Sequence, residues 1–280
     1  MKVLVTGASG QLGFDCVKEL ERRHIAVRGV NSKDFPLTDF AVMQQYLLDY
    51  KPDAVIHCAA YTAVDKAEEE AAACEAVNAI GTRNLAKLCH EIDAKLLYIS
   101  TDYVFAGDGD KFYEPQDEKK PQNVYGLSKL KGEQAVAAEL EKYFIVRISW
   151  VFGINGKNFI RTMLNLSKTH TELNVVNDQI GSPTYTSDLA VLLADIIQSD
   201  KYGIYHATNE GTCSWADFAR EIFKQARKAV KVNDVPATAY PTKAKRPYNS
   251  RLSKACLDKA GFKRLPAWQD AVKRYLQELG

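Results

Sequence analysis

Five near-continuous apolar runs, each followed by a helical pattern, constrain this chain more than any other feature. The runs are "KVLVTG" (2–7), "IAVRGV" (25–30), "DAVIHCAA" (53–60), "AKLLYIST" (94–101) and "YFIVRISWVFG" (143–153). Between them, periodicity predicts helices over 11–23, 40–50, 71–92 and 124–140. Strands without apolar–polar alternation are buried on both faces, which means a parallel sheet with helices above and below. Right-handed crossovers then give a Rossmann-type, doubly wound α/β sheet. After Gly153 the pattern loosens into helices over 159–168, 187–198, 215–229 and 268–279, a strand "GIYHATN" (203–209), and loops rich in proline and glycine. The expected organisation is a nucleotide-binding domain over 1–150 and a smaller α/β substrate-binding C-terminal lobe over 151–280, with the chain crossing between them more than once.

Composition removes several classes of function. Net charge is +2 with Lys and Arg spread along the chain, so no nucleic-acid footprint is expected. No apolar run approaches the roughly 20 residues of a membrane helix, and "MKVLVTG" turns polar too early for a signal peptide. The six cysteines form no C-x-x-C pair and the five histidines are dispersed, so no metal site is expected. Free thiols point to a reducing, cytoplasmic setting.

"VLVTGASGQLG" places Gly7, Gly10 and Gly13 after a strand and at the start of a helix. Glycine lets the backbone approach a pyrophosphate, and the helix N-terminus offers amides and partial positive charge. The next strand ends "RGVNSKD" (28–34) without the carboxylate that would hold the adenosine ribose. Asn31 stands there instead, with Arg28, Ser32 and Lys33 nearby, a composition that accommodates a 2′-phosphate. The cofactor is therefore NADPH or NADH, with the balance toward NADPH.

The fourth run ends in Ser100, Thr101, Asp102 and Tyr103, at the sheet rim where open α/β sheets bind ligands. The helix that follows carries Tyr125 and Lys129, four residues apart and hence on one face. Such a pair arises often by chance. Next to the glycine loop it reads as a proton donor and a cation that lowers the phenol's pKa. Alternation along the strand turns Ser100 away from Thr101.

Seven strings extend the pattern: "AAYTAVDKAE" (59–68), "VNAIGTRNLA" (77–86), "STDYVFAGDG" (100–109), "NVYGLSKLKGE" (123–133), "RISWVFG" (147–153), "NDQIGSPT" (177–184) and "RPYNSRL" (246–252). With the glycine loop they resemble the dTDP-4-dehydrorhamnose reductase family of extended short-chain dehydrogenases/reductases, over nearly the whole chain. The resemblance implies NAD(P)H-dependent reduction of a dTDP-4-dehydro sugar at its C4 ketone, the last step to dTDP-L-rhamnose. It implies catalytic roles for Thr101, Tyr125 and Lys129. Cofactor contacts carry over to Gly7, Gly10, Gln11, Leu12, Gly13, Asn31, Asp39, Phe40, Ala59, Ala60, Thr62, Tyr125 and Lys129, the last at the nicotinamide ribose, and Asn78 matches the superfamily's helix asparagine. Thr62, Val64, Asp102, Tyr103 and Trp150 are the expected sugar contacts. Asn177, Asp178, Gln179 and Arg246 are expected at the dTDP; Arg246 suits phosphate by its fork of donors, and Asp178 can orient an arginine. Some family members are magnesium-bridged homodimers. Asp15 lies near the relevant position, but the full carboxylate set is unmatched, so monomer and homodimer both stay open. The alternatives are another sugar-nucleotide reductase or epimerase, or a non-catalytic subunit like the regulatory β subunit of methionine adenosyltransferase.

Overall fold

The computed structural model describes residues 1–280. Its centre is a six-stranded, all-parallel sheet of Rossmann type. β1 (Lys2–Thr6) lies between β2 (Ala26–Val30) and β3 (Ala54–His57). β4 (Lys95–Thr101) and β5 (Tyr143–Ile148) continue beyond β3. The outermost strand, Gly203–His206, arrives from far along the chain and pairs with β5. Side chains alternate between two cores: Val3 and Val5 enter one, Leu4 the other. Helix α1 (Gln11–Arg22) and the helix over Thr186–Ile197 cover the first face.

The other face is covered by α2 (Phe40–Tyr50) and by helices that depart from the expected single run over 71–92. A short α3 (Val64–Ala67) precedes α4 (Ala71–Glu75), a π-helical turn over Ala76–Gly81, and α5 (Thr82–Glu91). The cause is Asn78, which is buried rather than a helix-surface residue. Its Oδ1 accepts from the Tyr61 amide at 2.8 Å, and its Nδ2 donates to the Tyr61 carbonyl and to Ser128 Oγ, both at 3.0 Å. A widened turn lets this side chain brace the loop after β3, a common use of π-bulges at functional sites. Helix α6 (Val124–Glu139) completes the layer; Asn123 caps it by accepting from the Gly126 amide at 2.7 Å.

The fifth apolar run also breaks. β5 stops at Ile148, Trp150 adopts φ +49°, and Val151–Phe152 pairs instead with Thr184–Tyr185. The Trp150 carbonyl accepts from the Thr184 amide at 3.1 Å, and Thr184 Oγ1 donates to the Ser149 carbonyl at 2.6 Å. A bulky residue in the left-handed region is uncommon and often marks a functional position. Beyond it, Phe152, Ile160, Phe218, Trp268 and Tyr275 build a third core. A parallel pair of strands, Glu172–Val176 with Lys231–Val235, lies alongside. No helix is long and apolar enough to cross a membrane.

Candidate active site

Gly7, Gly10, Gln11, Leu12 and Gly13 line a cleft of about 650 Å³ at the C-terminal rim of the sheet. No side chain caps the start of α1, so its first amides are left for a ligand. The turn is tight: Gly7 has φ +69°, and a Cβ on Gly13 would lie 2.3 Å from the Gly7 carbonyl oxygen. Gly13→Ala should therefore displace the loop at a cost of ~1–3 kcal/mol; a fluorescence titration with NADPH should show correspondingly weaker binding. Gln11 points its amide elsewhere. Its Oε1 accepts from the Gly153 amide at 2.9 Å and from Asn158 Nδ2 at 3.0 Å, which fixes the loop to the later part of the chain.

The same cleft is lined by Ala59, Ala60, Thr62 and Val64 after β3, Thr101 at the end of β4 with Asp102 and Tyr103 just after it, Tyr125 and Lys129 on α6, and Trp150 after β5. Close approach of α6 to β4 brings the last pair in: a Cβ on Gly132 would lie 2.3 Å from the Tyr98 hydroxyl. Lys129 is buried with its ammonium 4.0 Å from the centre of the Tyr98 ring. Burial pulls its pKa down to about 7, with Glu133 opposing the fall, and no protein hydrogen bond holds the charge.

The expected lowering of Tyr125 does not occur. Burial and the nearby Asp102 carboxylate push the phenol well above its ordinary value, and the Thr101 hydroxyl works against that rise. Tyr103 packs edge-on against Tyr125, with ring centres 5.6 Å apart. Asp102 is buried and accepts from Ser250 Oγ at 2.5 Å and Thr101 Oγ1 at 3.0 Å. Desolvation nevertheless raises its pKa to about 6.

Trp150 also borders a second cavity of about 520 Å³, where Gln179, Arg246, Tyr103 and Trp215 join it. Trp150 and Trp215 stack with ring centres 3.7 Å apart. Arg246 is already engaged: it pairs with Asp65 and donates to the Tyr103 hydroxyl at 3.1 Å. Asn177 and Asp178 line neither cavity. Asn177 Nδ2 donates to Asp234 at 3.2 Å. Asp178 orients no arginine; both of its oxygens accept from the Ala237 amide, at 2.9 and 3.0 Å. Asn31, Asp39 and Phe40 also lie outside the cleft lining. Asn31 Oδ1 accepts from the Lys33 amide, Asp39 caps α2 through the Val42 amide, and the Phe40 ring is exposed. Asp15 is buried between helices, its carboxylate accepting from Thr186.

Comparison with known proteins gives this arrangement a lineage. The family described as RmlD substrate binding domain matches residues 1–280. The chain belongs to the RmlD family. It is 40% identical over 277 residues to the spore coat polysaccharide biosynthesis protein SpsK of Bacillus subtilis, covering 99% of this chain and 97% of that one. It is 39% identical over 297 residues to the dTDP-4-dehydrorhamnose reductase of Escherichia coli K12, covering 100% and 98%. Among solved structures, the dTDP-4-dehydrorhamnose reductase of Bacillus anthracis in complex with NADP superposes with a TM-score of 0.97 at 42% identity, covering 99% of this chain and 100% of that one.

In this member of the RmlD family the open α1 amides and the unbonded Lys129 ammonium fit a dinucleotide: anionic oxygens on the first, ribose hydroxyls on the second. Sequence reasoning missed Asn155, Gly156 and Lys157, which line the cleft beside the glycine loop; Asn155 Nδ2 donates to the Ser9 carbonyl at 3.0 Å. It also missed Trp215, Tyr240 and Tyr248 in the second cavity. The short string "GINGK" (153–157) was the available signal for the first group; nothing local marks the second.

Proposed function

We propose that this protein reduces the C4 ketone of dTDP-4-dehydro-6-deoxy-L-mannose to dTDP-L-rhamnose, using NADPH or NADH. The observation that carries the reading is the meeting of Thr101, Tyr125 and Lys129 with the uncapped glycine loop in one cleft. When bound, the reduced nicotinamide supplies a hydride to C4. As the hydride arrives, negative charge builds on O4, and Tyr125 supplies the proton that quenches it. The raised phenol pKa does not prevent this, because an alkoxide is more basic than a phenolate. What needs stabilising is the phenolate left behind; on this reading the Lys129 ammonium and the Thr101 hydroxyl, which line the same cleft, would do it. Thr62, Val64, Asp102, Tyr103 and Trp150 would surround the deoxysugar. The second cavity, with Gln179 and Arg246, would take the dTDP, a diphosphate replacing Asp65 as the partner of Arg246. On this reading residues 1–150 chiefly hold the cofactor and 151–280 chiefly the sugar nucleotide. Relatives named as reductases over their full length favour this over an epimerase or a non-catalytic subunit.

A panel of dTDP-, UDP- and GDP-4-dehydro sugars, each with NADPH and NADH, tests the reading; absence of cofactor oxidation with the dTDP sugar refutes it. Lys129→Met should lower both kcat and NADPH affinity, and retained affinity would confine Lys129 to Tyr125. The pH dependence has a definite sign. Lys129 is an ammonium below about pH 7 and neutral above it in the free protein, so kcat/KM for NADPH should decline on the alkaline side from about that pH.

A further inference from the structure

One buried charge pair beside the reacting centre takes no part in the chemistry above. Arg147 on β5 is fully buried and Glu133 on α6 is 4% exposed. Arg147 Nε donates to Glu133 Oε1 at 2.8 Å, and Nη2 donates to Oε2 at 2.7 Å. Ser100, at the end of β4, donates its hydroxyl to the same Oε1 at 2.5 Å. Arg147 Nη1 reaches the Pro115 carbonyl at 3.0 Å. Taking two charges out of water is expensive, and apolar side chains of similar volume often serve stability as well or better. The pair therefore invites a reason beyond stability.

Its position supplies one. Ser100 directly precedes Thr101 on β4. Glu133 follows Lys129 by one helical turn, on the same face of α6. The groups facing Lys129 are His57 and Cys58 from β3 and its end, Cys74 from α4, Tyr98 from β4, and Tyr125 and Glu133 from α6 itself. Glu133 is the one carboxylate that acts on the Lys129 charge. Facing Glu133 in turn are Arg147, Lys119, Tyr98 and Lys129. His206 lies behind Arg147, its Nε2 3.3 Å from Nη1, and is kept neutral by burial and by the arginine's charge.

Resting on the reductase reading, we propose that Glu133 is a positioning residue: through Ser100 and Arg147 it locks α6 to β4, and it presents a carboxylate one helical turn from the Lys129 ammonium. Burial works against that ammonium and Glu133 is the largest influence working for it. The two roles belong together, since the bonds that fix the carboxylate also fix its distance from Lys129.

Glu133→Gln keeps the shape and an acceptor for Ser100 while removing the charge. The alkaline limb of kcat/KM for NADPH should move to lower pH by about one unit. The Kd for NADPH, followed by cofactor fluorescence across the same pH range, should show the same displacement. Glu133→Asp, which retains the charge, should return the limb toward that of the unsubstituted protein. Because Glu133→Gln leaves Arg147 without a counter-charge, the double variant E133Q/R147M is measured beside it and decides the matter if the single variant does not fold. A merely structural role predicts a lower Tm and a uniformly lower kcat with the limb unmoved in every folded variant, and that result overturns the proposal. If the unsubstituted protein oxidises NADPH with none of the sugar nucleotides, the reductase reading fails, and the Kd–pH profile still decides the charge role.

Discussion

Replacing Tyr125 with phenylalanine should lower kcat by about 10²- to 10⁴-fold, the usual worth of a positioned general acid. The binding of NADPH should change little, because the substitution leaves the glycine loop and the open amides of α1 untouched. The reasoning rests on which atom is lost. Phenylalanine keeps the ring that packs edge-on against Tyr103, so the shape of the site survives and only the proton source disappears. Stopped-flow measurement of NADPH oxidation, with affinity measured separately, distinguishes this from a general collapse of the site. Unchanged turnover would remove Tyr125 from the acid role and leave water or Asp102 as the proton source. Asp102 takes that second place on physical grounds: its pKa of about 6 leaves part of the population protonated in mildly acidic solution.

The second large effect concerns stability. Arg147→Met alone should destabilise the protein by ~3–5 kcal/mol, the range for leaving one member of a buried ion pair without its partner. For a chain of this size that corresponds to a fall in Tm of roughly 2–4 °C per kcal/mol. The cause is Glu133, which keeps only the Ser100 hydroxyl as a donor once both guanidinium bonds are gone. Thermal unfolding followed by circular dichroism checks this. The double variant E133Q/R147M should recover much of the loss, since it buries no unpaired charge. A single variant as stable as the unsubstituted protein would mean that water reaches this pair.

How much of this is legible in the sequence depends on how local each feature is. The glycine loop, the Tyr125–Lys129 pair and the rim residues Thr101 and Asp102 can be placed because strand–turn–helix succession and helical spacing are properties of neighbouring residues. The interruption at Asn78 cannot, because its cause is the backbone of Tyr61, 17 residues earlier. Arg246 is recognisable as a suitable phosphate ligand by its chemistry, yet its resting partner Asp65 lies 181 residues away. The charge of Asp178 suggests an arginine partner, whereas a backbone amide at Ala237 decides its use. The Tyr125–Lys129 spacing suggests a lowered phenol pKa; burial and Asp102, both consequences of packing, raise it instead, against the Thr101 hydroxyl.

The strand over Gly203–His206 has a consequence for anyone who would recombine this protein. It closes the edge of the sheet beside β5, and the helix over Thr186–Ile197 lies on α1. A chimera joined at residue 150, taking its second half from a relative with different sugar preference, would therefore exchange an edge strand and part of the cofactor domain's own covering together with the substrate pocket. A chain cut at that point would expose the flank of β5 as an unpaired edge, an invitation to aggregate. Transplanting specificity here means leaving the stretch over 186–207 native, together with Leu257 and Leu265, which pack into the same core as α1.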